Sequence, residues 1–237
     1  NNDCKINIFD TKRENNLIVH FTSEIPLEFN PKFKATVNLD KRLNTARNHS
    51  ATHLLHHALR AVLGSHVEQK GSLVNSKYLR FDFAHFSKVT EEQINEIETQ
   101  VIKGIENGIK LNEQRDFPIE NAKEMGAMAL FGEKYGDSVR VIQFNDSIEL
   151  CGGIHVQSTS DIGLFKVTSE SAVAAGIRRI EAISGDIAQE YFRGKTATLE
   201  NISSLLKKPK DIEKSIHDLI DKNNQLTKQI DVLNKEK

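Results

Sequence analysis

His49-Ser50-Ala51-Thr52-His53 and Cys151-Gly152-Gly153-Ile154-His155 are the two segments of this chain whose residue types and spacing suit chemistry. Each offers a pair of metal-ligating side chains at i and i+4. In a helix that spacing sets His49 and His53 on one face, a turn apart, where they can share an ion. In the second segment, two glycines permit a tight turn with open backbone between thiol and imidazole. A thiolate with three neutral imidazoles is a common zinc set. If the segments meet in the fold, they make a single four-ligand zinc site. Taken singly, each has an ordinary explanation: solvated histidines on a helix, or a buried cysteine beside a surface histidine.

The residues between the first two histidines are Ser50, Ala51 and Thr52, so the H-E-x-x-H pattern of zinc proteases is absent and no carboxylate stands there as general base. Four protein ligands close a tetrahedral zinc. Water activation then needs a ligand to leave, a fifth position, or water beside the metal, and the residue types do not choose among these.

The elements that must position these groups follow from periodicity. Arg47 to Gly64 reads as a helix with Ala51, Leu54, Leu55, Ala58, Leu59 and Val62 on one side and His49, His53, His56 and Arg60 on the other. Its apolar face is expected inward and its imidazoles elsewhere. Strands are expected at Leu17–Phe21, Phe33–Leu39, Tyr78–Phe83, Ser138–Phe144, Leu164–Ser169 and Arg178–Ile183. Thr90-Glu91-Glu92-Gln93 is a capping box that opens a helix to about Leu111, and another helix starts at Asp186. The body is therefore α+β. Beyond Pro209, Ile212, Ile216, Leu219, Asn223, Leu226, Ile230 and Leu233 step by four and three, a heptad seam. It fits a coiled coil or helical hairpin that allows self-association, or equally an amphipathic helix lying on its own domain.

With 237 residues and 38% apolar composition the chain can bury a sizeable core in one or two domains. A formal charge of −1 means that any nucleic-acid binding rests on local patches. Two cysteines far apart, Cys4 and Cys151, argue against a disulfide scaffold and for a reducing compartment, so cytoplasm is expected. No apolar run approaches membrane-helix length, and no membrane association is expected. The chain opens on Asn-Asn and is expected to be a piece of a longer protein.

Arg47-Asn48-His49-Ser50-Ala51-Thr52-His53-Leu54-Leu55-His56 resembles the histidine motif of the editing domain of alanyl-tRNA synthetases. Gln69-Lys70-Gly71-Ser72, Leu79–Phe83, Gly126–Gly136, Cys151–His155 and Ala174–Glu181 are similar in order and spacing to the same family. Threonyl-tRNA synthetase editing domains share the zinc-type segments in outline. The Gly126–Gly136 and Gly176–Glu181 blocks fit the alanyl family better.

The resemblance implies the second additional domain fold of threonyl and alanyl synthetases, followed by a helical or coiled-coil tail. In domains it implies 1–40 as the truncated end of a β-barrel-like portion, 41–192 as the zinc-containing editing body, and 193–237 as a helical linker. It implies proofreading in protein biosynthesis: a deacylase that hydrolyses the ester between serine or glycine and alanine tRNA. One zinc would be held by His49, His53, Cys151 and His155. Thr52 and Gln69 would line the amino-acid pocket, and Gly71 would let backbone approach the ligand. Arg178, with Arg179 beside it, would reach the acceptor stem of the RNA. The ATP-dependent synthetic half would lie outside this chain. A non-catalytic, zinc-structured docking module and a free-standing deacylase are the alternatives; the truncated start and heptad tail count against the second.

Overall fold

The computed structural model describes residues 5–15, 17–25, 34–129 and 135–235. Part of the Gly126–Gly136 block, together with Cys4 and Phe33, lies outside the described residues. The chain divides into two compact units, Asn1–Asn38 and Leu39–Lys237.

In the first unit β1 (Ile8–Glu14) pairs antiparallel with β2 (Leu17–Thr22), the strand expected at Leu17–Phe21. Asn15 takes a positive φ of 46° in the turn, a conformation its short amide side chain tolerates. Residues 34–38 form no strand, contrary to the alternation of Phe33–Leu39. Leu39 instead begins a helix, and an alternating run forms a strand only where a neighbouring strand takes its hydrogen bonds.

The second unit is built around α1 (Leu39–Leu63), which starts well before Arg47. Two antiparallel sheets accompany it. One has the order β3-β4-β9-β8, from β3 (Gln69–Val74), β4 (Leu79–Ala84), β8 (Phe165–Ala174) and β9 (Ile177–Ser184). The other has the order β5-β6-β7, from β5 (Asn112–Pro118), β6 (Ser138–Phe144) and β7 (Ser147–Leu150). Leu55 and Leu59 of α1, Phe81 and Phe83 of β4, Ile142 and Phe144 of β6, and Ile180 of β9 form one core, each at most 1% exposed. Burial on this scale, about 1.5–3 kcal/mol per large apolar side chain, anchors α1 in the core. A smaller core of Ala122, Val139, Val141 and Leu150 joins α3 (Ile119–Glu124) to the three-stranded sheet.

The apolar-in, imidazole-out expectation for α1 is corrected. Ala51, Leu55 and Leu59 are buried, and so are Thr52, His53 and His56, so the helix is covered on both sides through its middle turns. The second cover is the Ser147–Val156 region: Ser147 Oγ donates to the His53 carbonyl, and Val156 N–H donates to Ser50 Oγ.

Thr90 caps α2 (Glu91–Glu106) with the expected box, since its hydroxyl accepts from Gln93 N–H and the Gln93 side chain accepts from Thr90 N–H. The helix stops short of Leu111. Gly108 turns left-handed at φ 58°, and Ile109 and Leu111 then donate their N–H groups to Thr159 Oγ1 and the Gln157 carbonyl. Gly104 lets α2 approach Leu54, where an added Cβ would already stand 3.4 Å from Cδ1.

The tail holds α4 (Gly185–Leu205), within which position 192 falls, and α5 (Ile212–Lys235), the helix expected from the heptad seam. No residue of α5 is buried. Among the described residues no helix is long and apolar enough to cross a membrane.

Candidate metal centre

His49 and His53 project from α1 toward the turn that follows β7, and Cys151 and His155 project back. One ligand atom from each of the four lies within 4.8 Å of the others. Cys151 Sγ is 3.4 Å from His49 Nε2 and 3.3 Å from His155 Nε2. The imidazoles are grouped: ring centroids lie 4.3 Å apart for His49–His155 and 4.6 Å for His53–His155. The two segments, 102 residues apart between His49 and Cys151, therefore form one cluster.

The donors fit a zinc-type cation. Burial, followed by the nearby Arg140 charge, lowers the His49 pKa to about 4, and a backbone hydrogen bond with Ile154 partly opposes this. His155 falls to about 3, from burial and then the neighbouring His49. His53, wholly buried, is pushed well below its usual value by desolvation and then by His155 and His49. All three rings are thus neutral bases at pH 7, the form that ligates metals. His53 Nδ1 is buried without a hydrogen-bond partner, an orphaned atom of the kind that a coordinated ion satisfies.

Outer contacts set the ring orientations. Ser50 Oγ lies 3.1 Å from His155 Nδ1 and accepts from Val156 N–H, which leaves the His155 Nε2 edge toward Cys151. Gly153 N–H donates to Cys151 Sγ at 3.4 Å. Gly153 also packs against the His49 ring so closely that an added Cβ would lie 2.0 Å from Cε1. Arg140, on β6, donates through Nη1 to the carbonyls of Cys151 and Gly153 at 2.8 and 2.6 Å, and through Nε to Glu113 on β5 at 2.7 Å. That ladder holds the turn against the three-stranded sheet.

Thr52, Arg178 and Arg179 make their side-chain hydrogen bonds to residues outside this cluster. Thr52 is buried and its hydroxyl donates to the Asn48 carbonyl at 2.8 Å, the i−4 bond common for helix threonines. Gln69 opens β3, half-buried, before a register shift between it and Gly71. Gly71 pairs with Asp82, whose Oδ2 would be 3.3 Å from an added Cβ. Arg179 binds Asp82 through Nε at 2.7 Å and Nη2 at 2.8 Å, and Arg178 Nε binds Glu170 at 2.6 Å. Neither arginine pairs with Glu181, the partner that sequence proximity suggests.

Sequence reasoning missed Arg140, Glu113, Glu149 and Asn48. Glu149 stands on β7, two residues before Cys151. Asn48, next to His49, donates to the Asn75 carbonyl and accepts from Ser184 Oγ, which ties α1 to the four-stranded sheet.

The chain is an α+β domain in which a helix pair of histidines faces a cysteine–histidine turn, a cluster that could hold a metal ion. Residues 139–181, which include most of β6, β7, Cys151, His155 and both arginines, match the Threonyl and Alanyl tRNA synthetase second additional domain. Beyond that segment, 232 residues (98% of the chain) are 56% identical to the alanine–tRNA ligase of Flavobacterium psychrophilum, covering 26% of that protein. The alanine–tRNA ligase of Cytophaga hutchinsonii is 54% identical over 237 residues, 99% of this chain and 27% of the relative, and that of Bacteroides fragilis is 52% identical over 232. The chain spans about a quarter of the length of these relatives and fits an alanine–tRNA ligase fragment that carries the editing domain.

Proposed function

We propose that this chain is the proofreading part of an alanine–tRNA ligase, hydrolysing the ester of seryl- and glycyl-alanine tRNA. The observation that carries the reading is the convergence of His49, His53, Cys151 and His155, from segments a hundred residues apart, in a chain so similar to those ligases. These four residues would hold one zinc, which when bound supplies a Lewis acid or a water of lowered pKa close to the ester. The chain's own groups do the rest. Ser50 and Arg140 keep the ligand turn in register, and burial keeps the imidazoles unprotonated. Thr52 and Gln69 are assigned to the amino-acid pocket; the Thr52 hydroxyl, while donating to Asn48, keeps a lone pair that can accept from a serine hydroxyl. Gly71 leaves room beside Asp82. Arg178 and Arg179 are assigned to the acceptor stem. A second hydrolytic site of this kind is one solution where a small-residue pocket cannot reject a near-isostere on binding alone. The setting is cytoplasmic protein biosynthesis. ATP belongs to the synthetic part of the ligase, and α5 offers its apolar stripe for self-association.

The test is deacylation of seryl-alanine tRNA by this chain and by Cys151→Ala, with zinc content and circular dichroism measured on both. Hydrolysis by the unmodified chain, lost in a folded variant without zinc, supports the reading. A folded, zinc-loaded chain that leaves the ester intact, in the presence of the remainder of the ligase, sinks it. The four-protein-ligand set also favours a second reading, a docking module with structural zinc. Chelation separates them, because a structural ion unfolds the domain on leaving whereas an ion used only in hydrolysis leaves a folded, inactive chain.

A further inference from the structure

Directly behind the ligand cluster lies a buried carboxylate that the proposed chemistry does not use. Glu149 is 5% exposed, and its Oε1 is 3.1 Å from His56 Nδ1 while its Oε2 is 3.5 Å from His53 Nε2. His53 and His56 are three apart on α1, so both rings reach the same strand from adjacent turns. The remaining nitrogens, His53 Nδ1 and His56 Nε2, are each buried with no hydrogen-bond partner. Each histidine therefore turns one nitrogen to the carboxylate and leaves the other bare.

A carboxylate is acceptor-only, so His56 Nδ1, which hydrogen-bonds it, must carry the proton, and a bare lone pair on His53 Nε2, 3.5 Å from the other oxygen, would be repelled. That fixes the tautomers. His56 is a donor from Nδ1, its ring lies near Phe81 with centroids 5.0 Å apart, and it is not among the cluster residues. His53, protonated on Nε2, has its lone pair on Nδ1. We propose that Glu149, held by His56, is the positioning residue of the cluster: it sets the tautomer and orientation of His53, so that Nδ1 presents the ligand lone pair. The inference rests on the reading of the four residues as a metal site. Charge supports it as well, since one thiolate leaves a divalent ion with an excess of +1 in a buried site, and the Glu149 carboxylate offsets it. Carboxylate–histidine–metal chains of this kind fix ring orientation and raise ligand basicity.

The test uses the chain as it stands. Long-range proton–nitrogen NMR of the metal-free protein reads the His53 tautomer, expected with the proton on Nε2; a proton on Nδ1 overturns the proposal. Zinc affinity, measured by competition with a chromophoric chelator, is expected to fall about tenfold in Glu149→Gln, which keeps the shape and loses the charge. A fall of about a hundredfold is expected in Glu149→Met, which loses the acceptor. A folded Glu149→Met chain that binds zinc as tightly as the unmodified one also overturns it. Should that variant not fold, the tautomer of the unmodified chain decides. An unmodified chain that takes up no zinc sinks the metal reading instead, and leaves the tautomer measurement standing on its own.

Discussion

Replacing Gly153 by alanine separates zinc binding from folding. The new Cβ would stand 2.0 Å from His49 Cε1 and 2.3 Å from Nδ1, against an ordinary contact of about 3.4 Å or more. The ring must retreat by roughly 1.4 Å to clear it. Metal–ligand distances tolerate only about 0.2 Å. His49 is thus carried out of coordination range while its backbone, in the middle of α1, stays put. The clashing atoms are the end of a side chain that can rotate, so the fold should lose no more than about 1–2 kcal/mol. Zinc affinity should fall by two orders of magnitude or more, beyond the ~10–100-fold of a lost outer contact, because a direct ligand is removed. Gly152→Ala is the control, since its Cβ meets nothing within 4 Å. The assay is chelator competition with thermal melting alongside. If Gly153→Ala binds zinc like Gly152→Ala, the assignment of His49 as a ligand is refuted.

Arg140→Met removes the donor that joins the Cys151 and Gly153 carbonyls to Glu113, and zinc affinity should drop about tenfold in a folded chain, read by the same competition. Asn48→Ala strands Ser184 Oγ and the Asn75 carbonyl and should cost about 1–3 kcal/mol, read as a lowered denaturation midpoint. The metal-free chain should be acid-sensitive: His49 and His155 titrate near 6.5 when unfolded but at about 4 and about 3 when folded. Over that window the unfolded chain binds more protons, so the stability these rings contribute is complete above pH 6.5 and lost as pH falls toward 4 and 3. Melting temperatures of metal-free protein between pH 7.5 and 4 that do not decline would contradict the neutral, buried imidazoles.

The four-residue cluster was legible because its parts are local: i and i+4 on a helix, i and i+4 around two glycines. Strands such as Ser138–Phe144 and the capped helix at Thr90 were legible for the same reason, their period and cap being written in consecutive residues. What could not be read depends on pairing. Glu149 and Arg140 acquire their roles from the register that sets Val141 against Leu150, which no local pattern encodes. The burial of His53 and His56 was missed because a polar face predicts solvent only when no second layer covers it. Gln69–Val74 is a strand of low apolar content because it is the edge of its sheet, and Asn112–Pro118 hides its strand character behind the irregularity at Asp116, φ 52°.

The pairing of Arg179 with Asp82 and of Arg178 with Glu170 bears on how an RNA strand would be felt at this sheet. A guanidinium already neutralised by a carboxylate recruits no phosphate at long range. A phosphate that takes Arg179 does so by ion exchange, expelling the Asp82 carboxylate to water, rather than by adding to a standing positive field. The chain's own carboxylate then plays the part that a condensed counterion plays on the nucleic acid, so these contacts would add little to the salt dependence of binding. Their discrimination would be geometric: only a strand that can match the bidentate fork of Asp82 displaces it.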